Sequence, residues 1–315
     1  MWKNHLERAR ESRHLYKEQA TTLPDSNTVC VSTDLQKIVM LPRLDMYKKV
    51  IFQRRLIAYT ETFVPLGKVS KNNKPFAVMW HEAISKRSKE DLISTFYAFL
   101  KLHRDAQSII IWMDNCASQN KNWTMPTFLV RMINSHEISA NTITFNYFEP
   151  GHTFMSADSF HHQVELGMKA KQKIYDFADA VGSACKGNVN VKKMKYNDFY
   201  NWENFTSLGK LNKTGENRPY LSNMVQIVAE RGKFTLKYRN SFNEPLLQTL
   251  DFLQNKAMKK KQLLRPVSSL QRPRGFPQEK KQNLLKQLGN LFPENRKTFW
   301  ENLPTLNERE EESDS

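Results

Sequence analysis

Cysteine is scarce in this chain of 315 residues: Cys30, Cys116 and Cys185 are widely spaced, odd in number and form no C-x-x-C pair. That excludes a zinc ribbon or finger built from these cysteines and gives no support to a disulfide scaffold. A reducing compartment, nucleus or cytoplasm, is expected. No apolar run approaches the roughly 18 residues that a membrane helix needs, so no membrane association is expected. The opening residues, Met1 to Glu7, are charged and lack the apolar stretch of a secretory signal. Acids are in deficit too, with 32 Asp and Glu against 48 Lys and Arg, a net charge of +16.

What is present is a core-forming chain. Aromatic residues make up 11% of it, too many for a disordered polypeptide. The excess of cations points to a polyanionic partner, most often nucleic acid, with a merely basic soluble protein as the plain alternative. Trp2 to Ala20 reads as a polar helix. Thr28 to Asp34, the strand-like material within Tyr47–Phe63, and Phe76 to Trp80 read as three strands. Ser88 opens an amphipathic helix that runs to about Arg104, with acids in its first turn. Ser108 to Met113 is a continuous apolar run that suits a buried central strand. A helix carrying Phe128, Leu129, Met132 and Ile133 follows, then a strand over Ile143–Phe148, a Pro150-Gly151 turn, and a long helix from Ser156 to about Phe177.

This alternation predicts an α/β fold with a mixed sheet. Beyond Gly182 a β-hairpin is expected around Arg231-Gly232. Residues 256–281 hold nine basic residues and one acid, a local net of +8, with prolines that favour an extended path. The expected organisation is an N-terminal helix (1–25), a core (26–182), a small accessory region (183–245), a basic, partly helical extension (246–306) and an acidic disordered tail (307–315).

Carboxylates stand where α/β sheets bind ligands, at strand ends. Asp34 closes the first strand and Asp114 the central one, while Asp158 and Glu165 lie on the helix after the last strand. Converging carboxylates need a cation, and Mg²⁺ or Mn²⁺ suits oxygen ligands; no small-molecule cofactor is expected. The plain alternatives are a turn acid for Asp34 and a helix-start acid for Asp158. Asp158, His162 and Glu165 share one helix face by spacing, with His161 about 100° away. His152, in the turn before this helix, either meets the acids or caps the helix. The segment Asp114 to Asn122 packs carboxamides behind an apolar strand: Asn115, Gln119 and Asn120, with Lys121, are candidates for contacts to phosphates and sugars, or form a polar loop.

Asp114-Asn115-Cys116-x-x-Gln119-Asn120-Lys121-Asn122, followed by Glu149-Pro150-Gly151-His152-Thr153-x-Met155-x-x-Asp158, resembles a transposon-derived family of uncharacterised animal proteins. Asp34-Leu35-Gln36 and Trp80-His81-Glu82 match the same pattern, and the resemblance covers roughly residues 1–200. It implies a ribonuclease-H-like core of the DDE transposase and integrase type: three antiparallel strands, then helix, strand, helix, strand, helix. The family's acids on the first strand, after the fourth strand and on the late helix would be Asp34, Asp114 and either Asp158 or Glu165.

The implied activity is two-metal cleavage or strand transfer on DNA, with His152 or His162 assisting proton transfer. The basic extension, including Lys259, Lys260, Lys261, Arg265, Arg272 and Arg274, would hold the phosphate backbone. Relatives carry more sequence ahead of the polar helix, often cysteine-rich. This chain starts at that helix, which argues against autonomous transposition. A catalytically inactive DNA-binding or protein-interaction module is the alternative function, and an oligomer is compatible with either.

Overall fold

The computed structural model describes residues 2–22, 27–67, 73–116, 120–184, 189–203, 219–253 and 262–306. Its centre is a mixed sheet. Strands β1 (Thr28–Leu35), β4 (Leu56–Pro65) and β5 (Phe76–His81) pair antiparallel, while β6 (Ser108–Met113) and β7 (Thr142–Tyr147) join β1 in parallel. The short strands β2 (Val39–Leu41) and β3 (Arg43–Leu44) lie between β1 and β4 in sequence, and β2 pairs with β4. The chain is therefore α/β, with helices on both faces of a mixed sheet.

Alternation of side chains along β1 divides the core in two. Val31 faces one cluster, where α3 (Lys89–Leu102) and α4 (Thr124–Ile133) pack Phe96, Phe99 and Phe128 against Phe63 and Phe145. Cys30 faces the other, where α1 (Trp2–Thr21) and α5 (Ser156–Lys171) pack Tyr16, Phe160 and Val164 against Trp112 and Phe148. The start of α3 is fixed by a reciprocal cap: the Ser88 amide donates to Asp91 Oδ2 at 2.9 Å, and the Asp91 amide donates to Ser88 Oγ at 3.3 Å.

Several boundaries differ from expectation. Lys48–Ile51 is a helical turn (α2), not strand. The late helix stops at Lys171 rather than near Phe177, because Gln172 adopts a left-handed φ of 59°. A short strand, β8 (Lys173–Ile174), then pairs with β3, and a separate helix, α6 (Phe177–Ala184), follows. The hairpin forms as expected from β10 (Gln226–Glu230) and β11 (Leu236–Arg239), and β10 pairs with β7. It thus continues the central sheet, with β12 (Gln248–Leu250) at that edge and β9 (Asn190–Lys193) at the other. The extension is partly helical as expected, with helices over Gln278–Leu288 and Glu294–Glu301. The acidic tail, 307–315, lies outside the described residues, as do Lys259, Lys260, Lys261 and Gln119.

Candidate metal centre

Asp34 lies one residue from the end of β1, on the face covered by α5. Continuing the β1–β6 register two residues past Ser32↔Trp112 sets it opposite Asp114, the residue that follows the neighbouring parallel strand. Helix α5 is anchored over this edge by its own first turn, where the Ala157 amide donates to Ser32 Oγ at 3.1 Å. Its inward stripe is Ala157, Phe160, Val164 and Met168. That stripe decides which polar residues reach the sheet. Asp158 and His161 flank it and come to Asp34, so that one ligand atom from each of the three lies within 4.8 Å of the other two.

The face expected from spacing is therefore rotated. His161, not His162, turns towards the acids. His162 is exposed, and Glu165 is half exposed and paired with Lys169 at 3.3 Å, one turn along the solvent side. Asp158 has a second role as helix cap, accepting from the Met155 amide at 2.7 Å. His152 is elsewhere: its ring stands 5.1 Å from that of His5 on α1.

Thr62 and Asp34 flank the two ring nitrogens of His161. Burial, partly offset by Asp158, lowers its pKa to about 4, so the ring is neutral near pH 7. The Thr62 hydroxyl lies 3.3 Å from the Asp34 carbonyl and 2.7 Å from His161 Nε2; when it donates to the carbonyl it accepts from Nε2, the tautomer that frees Nδ1 for a metal. The lone pair of Nδ1 then faces Asp34 Oδ2 across 3.7 Å. Two acceptors opposed in this way call for a cation or a proton between them. Burial, followed by the charges of Asp114 and Asp158, pushes the Asp34 pKa up to about 7.

Asp114 feels Asp34 electrostatically but stands outside the three-residue group. Its Oδ1 accepts from the Cys116 amide and from the Asn120 side chain. Asn120 is buried and oriented inward, so it serves this carboxylate rather than a phosphate. Asn115 is half-buried beside it. Lys121 is buried as well: its ammonium donates to the Ser222 and Met224 carbonyls at 3.0 and 2.7 Å and lies 4.6 Å from the Tyr147 ring centre. Burial, reinforced by Arg8 and opposed by Glu149, lowers its pKa to about 7. It ties the loop after β6 to the hairpin and is not a surface cation.

Sequence patterning missed Glu61. It sits mid-β4 on the far face of the sheet, 4% exposed, accepting from Thr33 Oγ1 at 2.6 Å. Burial pushes its pKa up to about 8, opposed by that hydrogen bond and reinforced by Asp34 and Asp114. A lone carboxylate inside Tyr59-Thr60-Glu61-Thr62-Phe63 was the available signal.

A mixed α/β sheet with carboxylates and a neutral imidazole gathered at one strand edge defines a chain with a candidate metal site. The family to which it belongs is DUF7869, a domain of unknown function, whose pattern matches residues 68–242, more than half of the chain. The match contains Asp114, Asp158 and His161; Asp34 and α1 precede it. No curated protein and no solved structure matches the chain. None of the described helices is long and apolar enough to cross a membrane.

Proposed function

We propose that this chain is a transposase-derived, ribonuclease-H-like protein that acts on DNA, with Asp34, Asp158 and His161 holding Mg²⁺ or Mn²⁺. The observation that carries this reading is the meeting of these three side chains beside Asp114. The donor set fits such an ion: two carboxylates supply hard oxygen ligands, and His161 presents an unprotonated Nδ1 with its other nitrogen held by Thr62. Bound there, the ion would activate a water or hydroxyl nucleophile and stabilise the leaving oxygen of a phosphodiester. The chain's own groups orient the site: Thr62 fixes the imidazole, and Asn120 holds Asp114. The order β1, β4, β5, α3, β6, α4, β7, α5, with the first three strands antiparallel, supports the ribonuclease-H-like reading.

Asp158 takes the third acidic position in this scheme, and Glu165 and His162 take no part. The test is Mg²⁺- or Mn²⁺-dependent cleavage or joining of labelled DNA. Activity lost in Asp114→Ala supports the reading; an inactive wild-type chain, or equal activity in the variant, overturns it. One observation favours the alternative of an inactive DNA-binding module: Asp114 lies outside the close group and is bonded within its own loop. Salt-dependent DNA binding without any metal-dependent turnover would select that alternative.

A further inference from the structure

Helix α1 places Arg10, Arg13, His14 and Lys17 at i, i+3, i+4 and i+7, a single face that spans about 10 Å of helix axis. With His152 and two apolar residues, Leu6 and Ala9, they line a groove of about 470 Å³, and among the described residues no acid lines it. Among the described residues, the Arg10, His14 and Lys17 side chains make no ion pair or hydrogen bond. The acid Glu11 is turned away, accepting from Ser241 and Asn243.

The groove is built into the edge that carries the acids. Arg13 donates to the Phe154 and His152 carbonyls. The Ser156 amide donates to the Tyr16 hydroxyl at 2.9 Å, and Ala157 is bonded to Ser32, two residues before Asp34. One loop therefore forms the groove wall and leads directly into the turn that holds Asp158. Phe154, in that loop and 70% exposed, presents its ring 6.0 Å from the Arg13 guanidinium.

We propose that this α1 groove is where a nucleic-acid phosphate backbone is gripped, with Phe154 stacking an unpaired base. The inference rests on the nucleic-acid reading above and specifies the surface that carries it. Cations without internal partners, along a length of about three nucleotides of one strand, fit a phosphodiester chain, and an exposed ring beside them fits base stacking. The C-terminal extension fits less well, because Arg274 meets Asp91, Lys280 meets Glu82, and Lys281 meets the Glu301 and Leu303 carbonyls.

The test is fluorescence anisotropy of the full chain with a labelled duplex and with its single strand, in EDTA, over a series of salt concentrations. Arg10→Glu/Lys17→Glu should weaken both at least tenfold and flatten the duplex slope of log K against log salt by about 1.8. Arg10→Gln/Lys17→Gln should shift both the same way by less, which guards against a folding artefact. Lys281→Gln, in the C-terminal extension, should stay within about twofold of wild type, because its ammonium is already taken by the Glu301 and Leu303 carbonyls. Phe154→Ala should weaken the single strand severalfold more than the duplex; equal loss would remove the stacking role. Wild-type affinity and slope in the double reversal, or no binding by the wild-type chain at low salt, overturns the groove. Groove-dependent binding without metal-dependent cleavage would instead sink the catalytic reading and leave the groove standing.

Discussion

At the carboxyl end of β1, two carboxylates and a neutral imidazole crowd together, and among the described residues no Lys or Arg pairs with them. In residues 262–306, by contrast, Arg274, Lys280, Lys281 and Arg296 each meet an oxygen of this same chain. Both regions stand out in sequence as concentrations of like charge, yet among the described residues these four cations are compensated and the acids at the end of β1 are not. The basic segment works as a strap: Arg274 reaches Asp91 at the capped start of α3, and Arg296 reaches Asp176 and Asp179 at α6. Charge density therefore identifies a ligand surface only after internal partners are subtracted.

The contrast is broken most strongly at the acids. Asp34→Asn or Asp158→Asn should lower metal-dependent cleavage more than about a hundredfold, whereas Glu165→Gln should leave it unchanged; a steady-state cleavage assay decides. Next comes the strap. Arg274→Ala strips one partner from the buried Asp91, which keeps its bonds to Ser85 and Ser88. Urea unfolding should report a loss of about 2 kcal/mol, while the salt slope of DNA binding stays at the wild-type value.

Glu61 gives an effect that depends on pH. Its pKa is about 8 in the fold against 4.5 for a free glutamate side chain, so between those values the folded chain holds more protons than the unfolded one. The stability contributed by the protonated, buried group is complete below about pH 4.5 and is lost as pH rises towards 8, at no more than about 1.4 kcal/mol per pH unit. Glu61→Gln and wild type should therefore melt alike below about pH 4.5 and diverge progressively from there to about pH 8, with the variant the more stable. The smallest effect belongs to His162→Ala, an exposed change within about 0.5 kcal/mol and without consequence for cleavage.

Much of the fold was legible because apolar patterning reports burial directly. Ser108–Met113 and Ser88–Asp91 became the central strand and the capped helix start that their residues imply. Asp34, Asp114 and Asp158 were legible as strand-end and helix-start acids. The choice between His161 and His162 was not, because it depends on how α5 rotates, and Ala157, Phe160, Val164 and Met168 set that rotation against a sheet the helix alone does not specify. Lys121 misled for a related reason: in a polar stretch it reads as a surface cation, and only the fold brings the Ser222 and Met224 carbonyls, about a hundred residues away, to its ammonium. The α1 cations were overlooked beside the denser run at 256–281, whose internal partners cannot be read from composition.

The central claim is that Asp34, Asp158 and His161 form one divalent-cation site. Calorimetric titration of Mn²⁺ into the purified chain tests it without DNA. The account predicts saturable binding that is lost in Asp34→Asn and in Asp158→Asn and kept in Glu165→Gln. Absence of binding by the wild-type chain, or binding retained in both Asp variants, would contradict it.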